Sequence, residues 1–481
     1  MCRGTKHGGR SVKFMNRYNL LKFDNQLQAL FRELNLSSNN TSISDTLIDY
    51  FFTYYEYVDY VLYNPHFGFY GRAKVDFSNV GDFITFPSNF SPIYGELLAN
   101  HAFNLWVEMK KHRILNKQDK FYIVDIGSGD GSLALNLMNF IATKADSCDD
   151  FRLLLDDLRY LIVDRSKLLL DTAYKKCKKF EHIIDSLELD ITKPMGKCSF
   201  SELKGIIFCN ELIDNFPYHK IYFINDEFYI SLVLPLIRKE IIGILKDIFS
   251  KSGKEMNLSS MSSNLGSYTF LTKENYKILM QILYSNHDSK LISLFQKNTI
   301  WKELFVSTEY FPPVHNFLQD YFLKDSIRSL YSFSGKIVFV SPDYLEFLKN
   351  TDKILSNGYL YIIDYGGDYQ YLFDDLIEHR RIYSKQIVED EFHSPGNVDI
   401  TFDVNFSLLD EIGQLVGFNK VHYGLQRFLS DSLNLDLRSD NYKKKFVSEN
   451  DIETFYKTDF KLLVHRKGCE KLKFFVKPNE L

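Results

Sequence analysis

The stretch VDIGSGDGS, residues 124–132, sets glycines at three alternate positions, Gly127, Gly129 and Gly131. An apolar run, FYIVDI (121–126), leads into it and a second, LALNLMNFI (133–141), leads out. Strand, tight turn and helix N-terminus in succession bring backbone amides and the positive end of a helix dipole to one point, where the phosphates or sugar of a nucleotide are held. A dinucleotide-binding turn needs G-x-G-x-x-G. Here the third glycine comes one residue early, and position 132 is serine.

G-x-G-x-G is the usual first motif of methyltransferases that use S-adenosylmethionine. Its glycines let the backbone pass close to the amino-acid and ribose parts of the cofactor, where side chains would collide. The next strand, YLIVD, ends at Asp164. A carboxylate there can accept both ribose hydroxyls, or can cap the following helix SKLLLD; both roles can hold together. Asp125, at the end of the leading strand, completes the cofactor-binding candidates of this region with Gly127, Gly129, Gly131 and Asp164.

Strands and helices alternate from Phe121 to the strand GIIFCN, which ends at Asn210. This alternation predicts an α/β domain with a parallel sheet. Beyond that strand, NELIDNFP holds Glu211 and Asp214, which a helical turn would bring to one side, while Pro217 prevents a long helix. Two carboxylates at that place can clamp a guanidinium by paired hydrogen bonds and steer one nitrogen towards a methyl donor. The alternative is that Asn210 caps a short helix and the acids complement its dipole. Glu96, in GELL, reads equally as a buried cap or a cofactor contact, and the lysines of AYKKCKKF as a solvated face.

The chain has 481 residues, with 58 Lys and Arg against 62 acids and a formal charge of −4. Nothing in this balance points to nucleic acid as a partner. Six cysteines form no C-x-x-C pair, and His66, His219, His393 and His422 share no ligand spacing, so neither a disulfide framework nor a metal site is expected. The most apolar segment, YISLVLPLIRKEIIGILKDIF, is interrupted by Arg238, Lys239 and Glu240, so no membrane span is expected. No serine stands in a nucleophile elbow.

Residues 1–40 form a basic extension with no acid before Asp24, which reads as a mitochondrial transit segment or as a basic unstructured start. A helical cap with a lid loop follows over 41–118, TLIDYFFTYYEYVDYVLYNP being one aromatic helix. The first part of the core is 119–224. A hairpin turning at Asn225-Asp226 and a serine-rich insertion fill 225–334, and the core resumes over 335–481 with LVGFNKVHYG and DFKLLVHRK as closing strands.

Five blocks, NPHFGFYG with GDFITFP and YGELL; VDIGSGDG; CNELIDNFPYHKI; VSPDYLEFLKN with IIDYGGD; and SPGNVDITFDVNFSLL, together resemble one family, the MidA-like mitochondrial protein arginine methyltransferases that assist assembly of respiratory complex I. The resemblance implies a class I S-adenosylmethionine-dependent, Rossmann-like sheet with an N-terminal helical cap and a long insertion. It further implies S-adenosylmethionine as cofactor, a mitochondrial location, and symmetric dimethylation of an arginine on a protein substrate, a complex I core subunit. By position it sets Gly81, Asp82 and Thr85 on a lid loop over the cofactor, Gly127, Gly129, Gly131 and Asp164 on the cofactor site, and Glu211 with Asp214 on the catalytic E-x-x-D. After the lid loop the family usually has Ser-Pro-Glu, where this chain reads Phe86-Pro87-Ser88. Two other functions compete: an assembly factor that keeps the methyltransferase fold without turnover, and a methyltransferase acting on RNA or a small molecule.

Overall fold

The computed structural model describes residues 20–22, 24–34, 36, 42–72, 92–196, 200–224, 226–254, 266–286, 288–322, 335–373, 379–384, 387–388, 392, 395–439, 442, 455, 460–472 and 474. They fall into two compact units, one drawn from 1–61, 217–341 and 390–395, the other from 62–216, 342–389 and 396–481.

The second unit carries the glycine turn. Its main sheet has seven strands: β1 Phe121–Ile126, β2 Leu158–Asp164, β3 Ile184–Glu188, β4 Leu203–Asn210, β5 Leu355–Asp364, β6 Asn419–Leu425 and β7 Lys461–Lys467. The order across the sheet is β3-β2-β1-β4-β5-β7-β6. Neighbours from β3 to β5 run parallel; β7 is antiparallel to both β5 and β6. Parallel strands require crossovers, supplied here by α2 Ser132–Ala145 and α4 Lys167–Lys176, with α1 Pro92–Lys111 ahead of β1 and α3 Asp149–Asp157 between α2 and β2. α5 Asp343–Ile354 leads into β5, and α6 Phe406–Leu415 precedes β6.

Alternation along β1 explains the layers. Phe121 and Ile123 join a core cluster with Leu97 and Leu98 of α1, Leu137 and Ile141 of α2, and Tyr160, Phe208 and Tyr361 of neighbouring strands. Val124 and Ile126, on the opposite side of the pleat, are buried as well. A parallel sheet covered on both faces has near-continuous apolar strands, which is why FYIVDI, YLIVD and GIIFCN stand out in the sequence. The expected strands at LVGFNKVHYG and DFKLLVHRK are β6 and β7.

The first unit holds a second seven-stranded sheet, in which Leu20–Leu21, Thr299–Ser307, Glu227–Arg238, His219–Ile224 and Lys336–Val340 lie side by side. Phe52–Thr53 and Tyr268–Phe270 also pair with Glu227–Arg238. The expected hairpin is present, Ile224 opposing Glu227 with Asp226 at φ 62°.

Three expectations differ from this arrangement. Within the expected extension 1–40, Leu20–Leu21 pairs with Thr299–Ser307 and the helix Asp24–Glu33 buries Leu27 and Phe31 in the first unit. KIVFV, read as the return of the core at 335, is a strand of the first unit, with Val338 opposite Ile221; its alternation suits either sheet, and only the partner decides. The single aromatic helix is broken into Ile43–Tyr50 and Tyr54–Tyr63. Thr53 and Glu56 form a capping box, the Thr53 Oγ1 accepting from Glu56 N (3.1 Å) and the Glu56 carboxylate from Thr53 N (2.8 Å), so a new helix starts there. The serine-rich stretch lies mostly outside the described residues.

Candidate active site

At the glycine turn, Gly127 N and Ser128 N donate to the Val163 carbonyl of β2 (2.8 and 3.3 Å), so the loop is tied to the neighbouring strand. All three glycines have positive φ, at 77°, 53° and 79°. A Cβ on Gly131 would stand 2.8 Å from the Ala173 Cα of α4, and one on Gly127 would stand 2.8 Å from the Leu212 Cδ1. The turn is therefore an open cradle only while these positions lack side chains. Asp130 closes its far side, accepting from Ser132 N (3.0 Å) and pairing with Lys176.

Asp164 stands at the end of β2 with its carboxylate accepting from Ser166 N at 2.8 Å. The helix cap itself is Ser166, so Asp164 is not the cap. Burial pushes its carboxyl up to about 6, against the backbone N–H donors of Ser166 and Gly129. Asp125 is buried beneath the turn, accepts from the Tyr160 hydroxyl at 3.2 Å, and is pushed by burial up to about 7. A glycine cradle beside a buried acceptor at the next strand end suits an adenosyl group, whose ribose hydroxyls are donors.

The chain after β4 bends sharply. Glu211 has φ 48°, a left-handed conformation rare for a residue with a side chain, while its N–H still donates to Ile363 O of β5 (2.9 Å). Ile213–Asn215 then forms one 3₁₀ turn. Its opening donors are met by Asp364, whose Oδ2 accepts from Leu212, Ile213 and Asp214 N–H at 3.2, 2.9 and 3.2 Å, and whose Oδ1 accepts from Tyr365 N at 2.9 Å. Asn210 does not cap this turn. Its amide instead joins Tyr94 to Glu211: the Tyr94 hydroxyl donates to Asn210 Oδ1 (2.6 Å) and Asn210 Nδ2 donates to Glu211 Oε1 (3.0 Å).

Asp399 enters from the first position of the strand Asp399–Phe402, fully buried. Its Oδ1 accepts from the Tyr70 hydroxyl (3.1 Å) and from Asn215 Nδ2 (3.2 Å). Tyr63 donates to the Asn215 carbonyl at 2.8 Å and stacks on Tyr70, with the Arg165 guanidinium 3.8 Å from its ring centre. Burial, then the charges of Asp364, Asp399 and Glu211, push the Asp214 carboxyl well above the usual carboxylate range, and burial pushes Asp399 up to about 7. Among the described residues, Asp214 Oδ1 and Asp399 Oδ2 are buried with no hydrogen-bond partner. Arg381 is a cation that acts on Asp214, and it is held 2.6 Å from Asp403.

The structure thus brings Glu211 and Asp214 into mutual electrostatic reach, and ties the turn carrying Gly127 to the side chain of Leu212 between them. Gly81, Asp82 and Thr85, with the Phe86-Pro87-Ser88 variation, lie outside the described residues. Asp364, Asp399, Tyr70, Tyr94 and Asn215 are absent from the sequence-based candidates. Asp364 had a signal, since it ends a strand as Asp164 does; the others sit in the five quoted blocks with nothing local to distinguish them. Among the described residues no group of three or more His, Cys, Asp or Glu is arranged to hold a metal.

A β3-β2-β1-β4-β5-β7-β6 sheet with one antiparallel strand and a glycine turn after β1 is the architecture of class I S-adenosylmethionine-dependent methyltransferases. Residues 97–424 match the profile of a family described as "Putative S-adenosyl-L-methionine-dependent methyltransferase". The chain belongs to this family, the MidA-like family that its sequence resembles. S-adenosylmethionine is its cofactor. Over 190 residues it is 24% identical to the "Protein arginine methyltransferase NDUFAF7 homolog, mitochondrial" of Drosophila melanogaster, a match covering 37% of this chain and 40% of that relative. A Burkholderia thailandensis protein solved bound to S-adenosyl-homocysteine shares the fold at TM-score 0.54 and 16% identity, covering 95% of this chain and 98% of its own. A native crystal structure from the same organism gives 0.53 at the same identity and coverage.

Proposed function

We propose that this methyltransferase acts on arginine in a protein, with Glu211 and Asp214 holding the target guanidinium and Asp125, Gly127, Gly129, Gly131 and Asp164 holding the cofactor. The observation that carries this reading is Asp214, a buried carboxyl with an unpartnered oxygen in the field of three further acids. Such a group ionises readily only when a cation arrives, because burial and like charges both favour its protonated form. Arg381 offsets this only in part, its guanidinium lying 2.6 Å from Asp403 while the Asp214 carboxyl stays raised. A target guanidinium supplies the rest: it stays charged, and its planar fork of donors matches two carboxylates.

S-adenosylmethionine supplies an electrophilic methyl carried on a sulfonium. Glu211, fixed through Asn210 and Tyr94, and Asp214, fixed by the Asp364-capped turn, orient one guanidinium nitrogen and keep water from it. The name of the Drosophila relative, a protein arginine methyltransferase, supports arginine, and its mitochondrial description, with the run of basic residues ahead of Asp24, supports that location. Symmetric dimethylation, and a complex I core subunit as the target, are carried into the proposal from the family resemblance, as is a lid at Gly81, Asp82 and Thr85.

The test pairs Glu211→Gln with Asp214→Asn, each keeping size while removing charge. Calorimetry should show S-adenosyl-homocysteine binding unchanged. Methylarginine formed from labelled cofactor and a mitochondrial extract should fall about 100-fold or more, the scale of removing a group that stabilises developing charge. Wild-type rates in both variants would refute the assignment.

A further inference from the structure

We propose that Asp399 is the proton acceptor of this methyl transfer, a role resting on the arginine reading above. Of the acids around the 3₁₀ turn, Asp364 has both oxygens occupied by backbone N–H groups. Glu211 and Asp214 are the pair that grips the cation. Asp399 differs from all three. Its Oδ1 is anchored by two neutral donors, Tyr70 and Asn215, which fixes the carboxylate plane, and its Oδ2 is buried and unpartnered. Asn215 adjoins Asp214, and the Asp399 charge acts on Asp214. A base is thus held beside the clamp with one oxygen in reserve.

The chemistry requires such a group. A guanidinium does not give up a proton in water near neutral pH. As the target nitrogen bonds to the methyl carbon, the methyl–sulfur bond breaks with its electron pair kept on sulfur. The nitrogen must then shed one hydrogen if the side chain is to remain a monocation. That proton passes to Asp399 Oδ2, leaving a neutral carboxyl that later releases it to solvent. Burial strengthens its basicity, while the hydrogen bonds from Tyr70 and from the Ile400 backbone N–H weaken it; Asp214, itself in the field of Asp364, Glu211 and Arg381, is the acid within its electrostatic reach. Its carboxyl lies near about 7, where a base balances availability against strength.

Asp399→Asn separates this role from a structural one, because the amide oxygen can still accept from Tyr70 and Asn215 and only Oδ2 changes. In the full chain, S-adenosyl-homocysteine affinity and melting temperature should stay close to wild type. Methylarginine formation on mitochondrial extract should fall about 100-fold or more. In Tyr70→Phe the low-pH limb of the rate profile should move to higher pH, and the rate on the alkaline side should fall far less than in Asp399→Asn, because Asn215 still holds Oδ1. The infrared carbonyl band of protonated carboxyls, taken as wild type minus Asp399→Asn, should titrate over the same range as that limb. A wild-type rate and pH profile in Asp399→Asn would overturn the proposal and leave the arginine reading standing. If Asp399→Asn does not fold, an unshifted limb in Tyr70→Phe overturns it instead. Wild-type protein that forms no methylarginine would remove the arginine reading, and this proposal with it.

Discussion

The glycine turn and the acid cluster lie against each other in the same unit, Gly127 packed on Leu212, yet they are built in opposite ways. At the turn, all but the buried Ser128 hydroxyl find partners within short reach: Asp130 serves Ser132, Asp164 serves Ser166, and Val163 receives the loop amides. The cluster draws Tyr70, Asn210 to Asn215, Asp364 and Asp399 from four separate segments and leaves two carboxylate oxygens unmet among the described residues. A region whose carboxylates and loop amides are satisfied internally suits a ligand of fixed chemistry. One left with buried, uncompensated acidity suits a ligand that brings the missing charge.

The largest effect expected from breaking this contrast is at the turn. Gly131→Ala puts a Cβ 2.8 Å from the Ala173 Cα and 3.0 Å from its carbonyl oxygen, at φ 79°. Backbone cannot move aside cheaply, so left-handed strain and overpacking together should remove roughly 3 kcal/mol of stability, read from urea unfolding. Gly127→Ala meets side chain and not backbone, Leu212 Cδ1 at 2.8 Å with its Cβ at 3.3 Å, which can give more readily, and should lose less. Equal losses would mean that the turn is not gripped by α4.

The contrast also explains what could be read in advance. Strands buried on both faces announce themselves as apolar runs, and the G-x-G-x-G turn with Asp164 at the next strand end follows from local spacing, so the parallel sheet and the glycine turn were legible. The partner of KIVFV was not, because pairing is a property of two strands. Asp399 was not, because nothing in VDITFD tells which acid faces a turn nearly two hundred positions earlier. The break before Tyr54 was legible in TYYE and passed over beneath a strong aromatic helix pattern. A middle-sized effect tests the proposed ribose contact: Asp164→Asn keeps an acceptor for Ser166 N–H but loses the carboxylate charge. Calorimetry should show S-adenosyl-homocysteine bound more weakly by about 2 kcal/mol, some 30-fold. Unchanged affinity would reduce Asp164 to a support for its own turn.

The smallest effect probes the uncompensated acidity directly, in protein without cofactor. Asp214 has its folded-state pKa raised, by burial first and then by Asp364, Asp399 and Glu211, so the folded chain holds that proton more tightly than the unfolded chain does. Its contribution to stability is therefore fully present below the unfolded carboxyl value near about 4 and is lost as pH climbs towards the raised folded value. Asparagine does not titrate. Measured against wild type by urea unfolding, Asp214→Asn should differ little at about pH 3.5 and be the more stable at about pH 8, because wild type loses about 1.4 kcal/mol for each pH unit between the unfolded and folded carboxyl values. The variant that loses methyl transfer would thus gain stability, as expected where a site holds charge in readiness for its ligand. Asp164→Asn should change in the same direction by less, since its carboxyl is raised only to about 6 and backbone N–H groups oppose the rise. A loss of stability in Asp214→Asn at both pH values would mean that this acid is already compensated inside the fold, and the difference between the two regions would disappear.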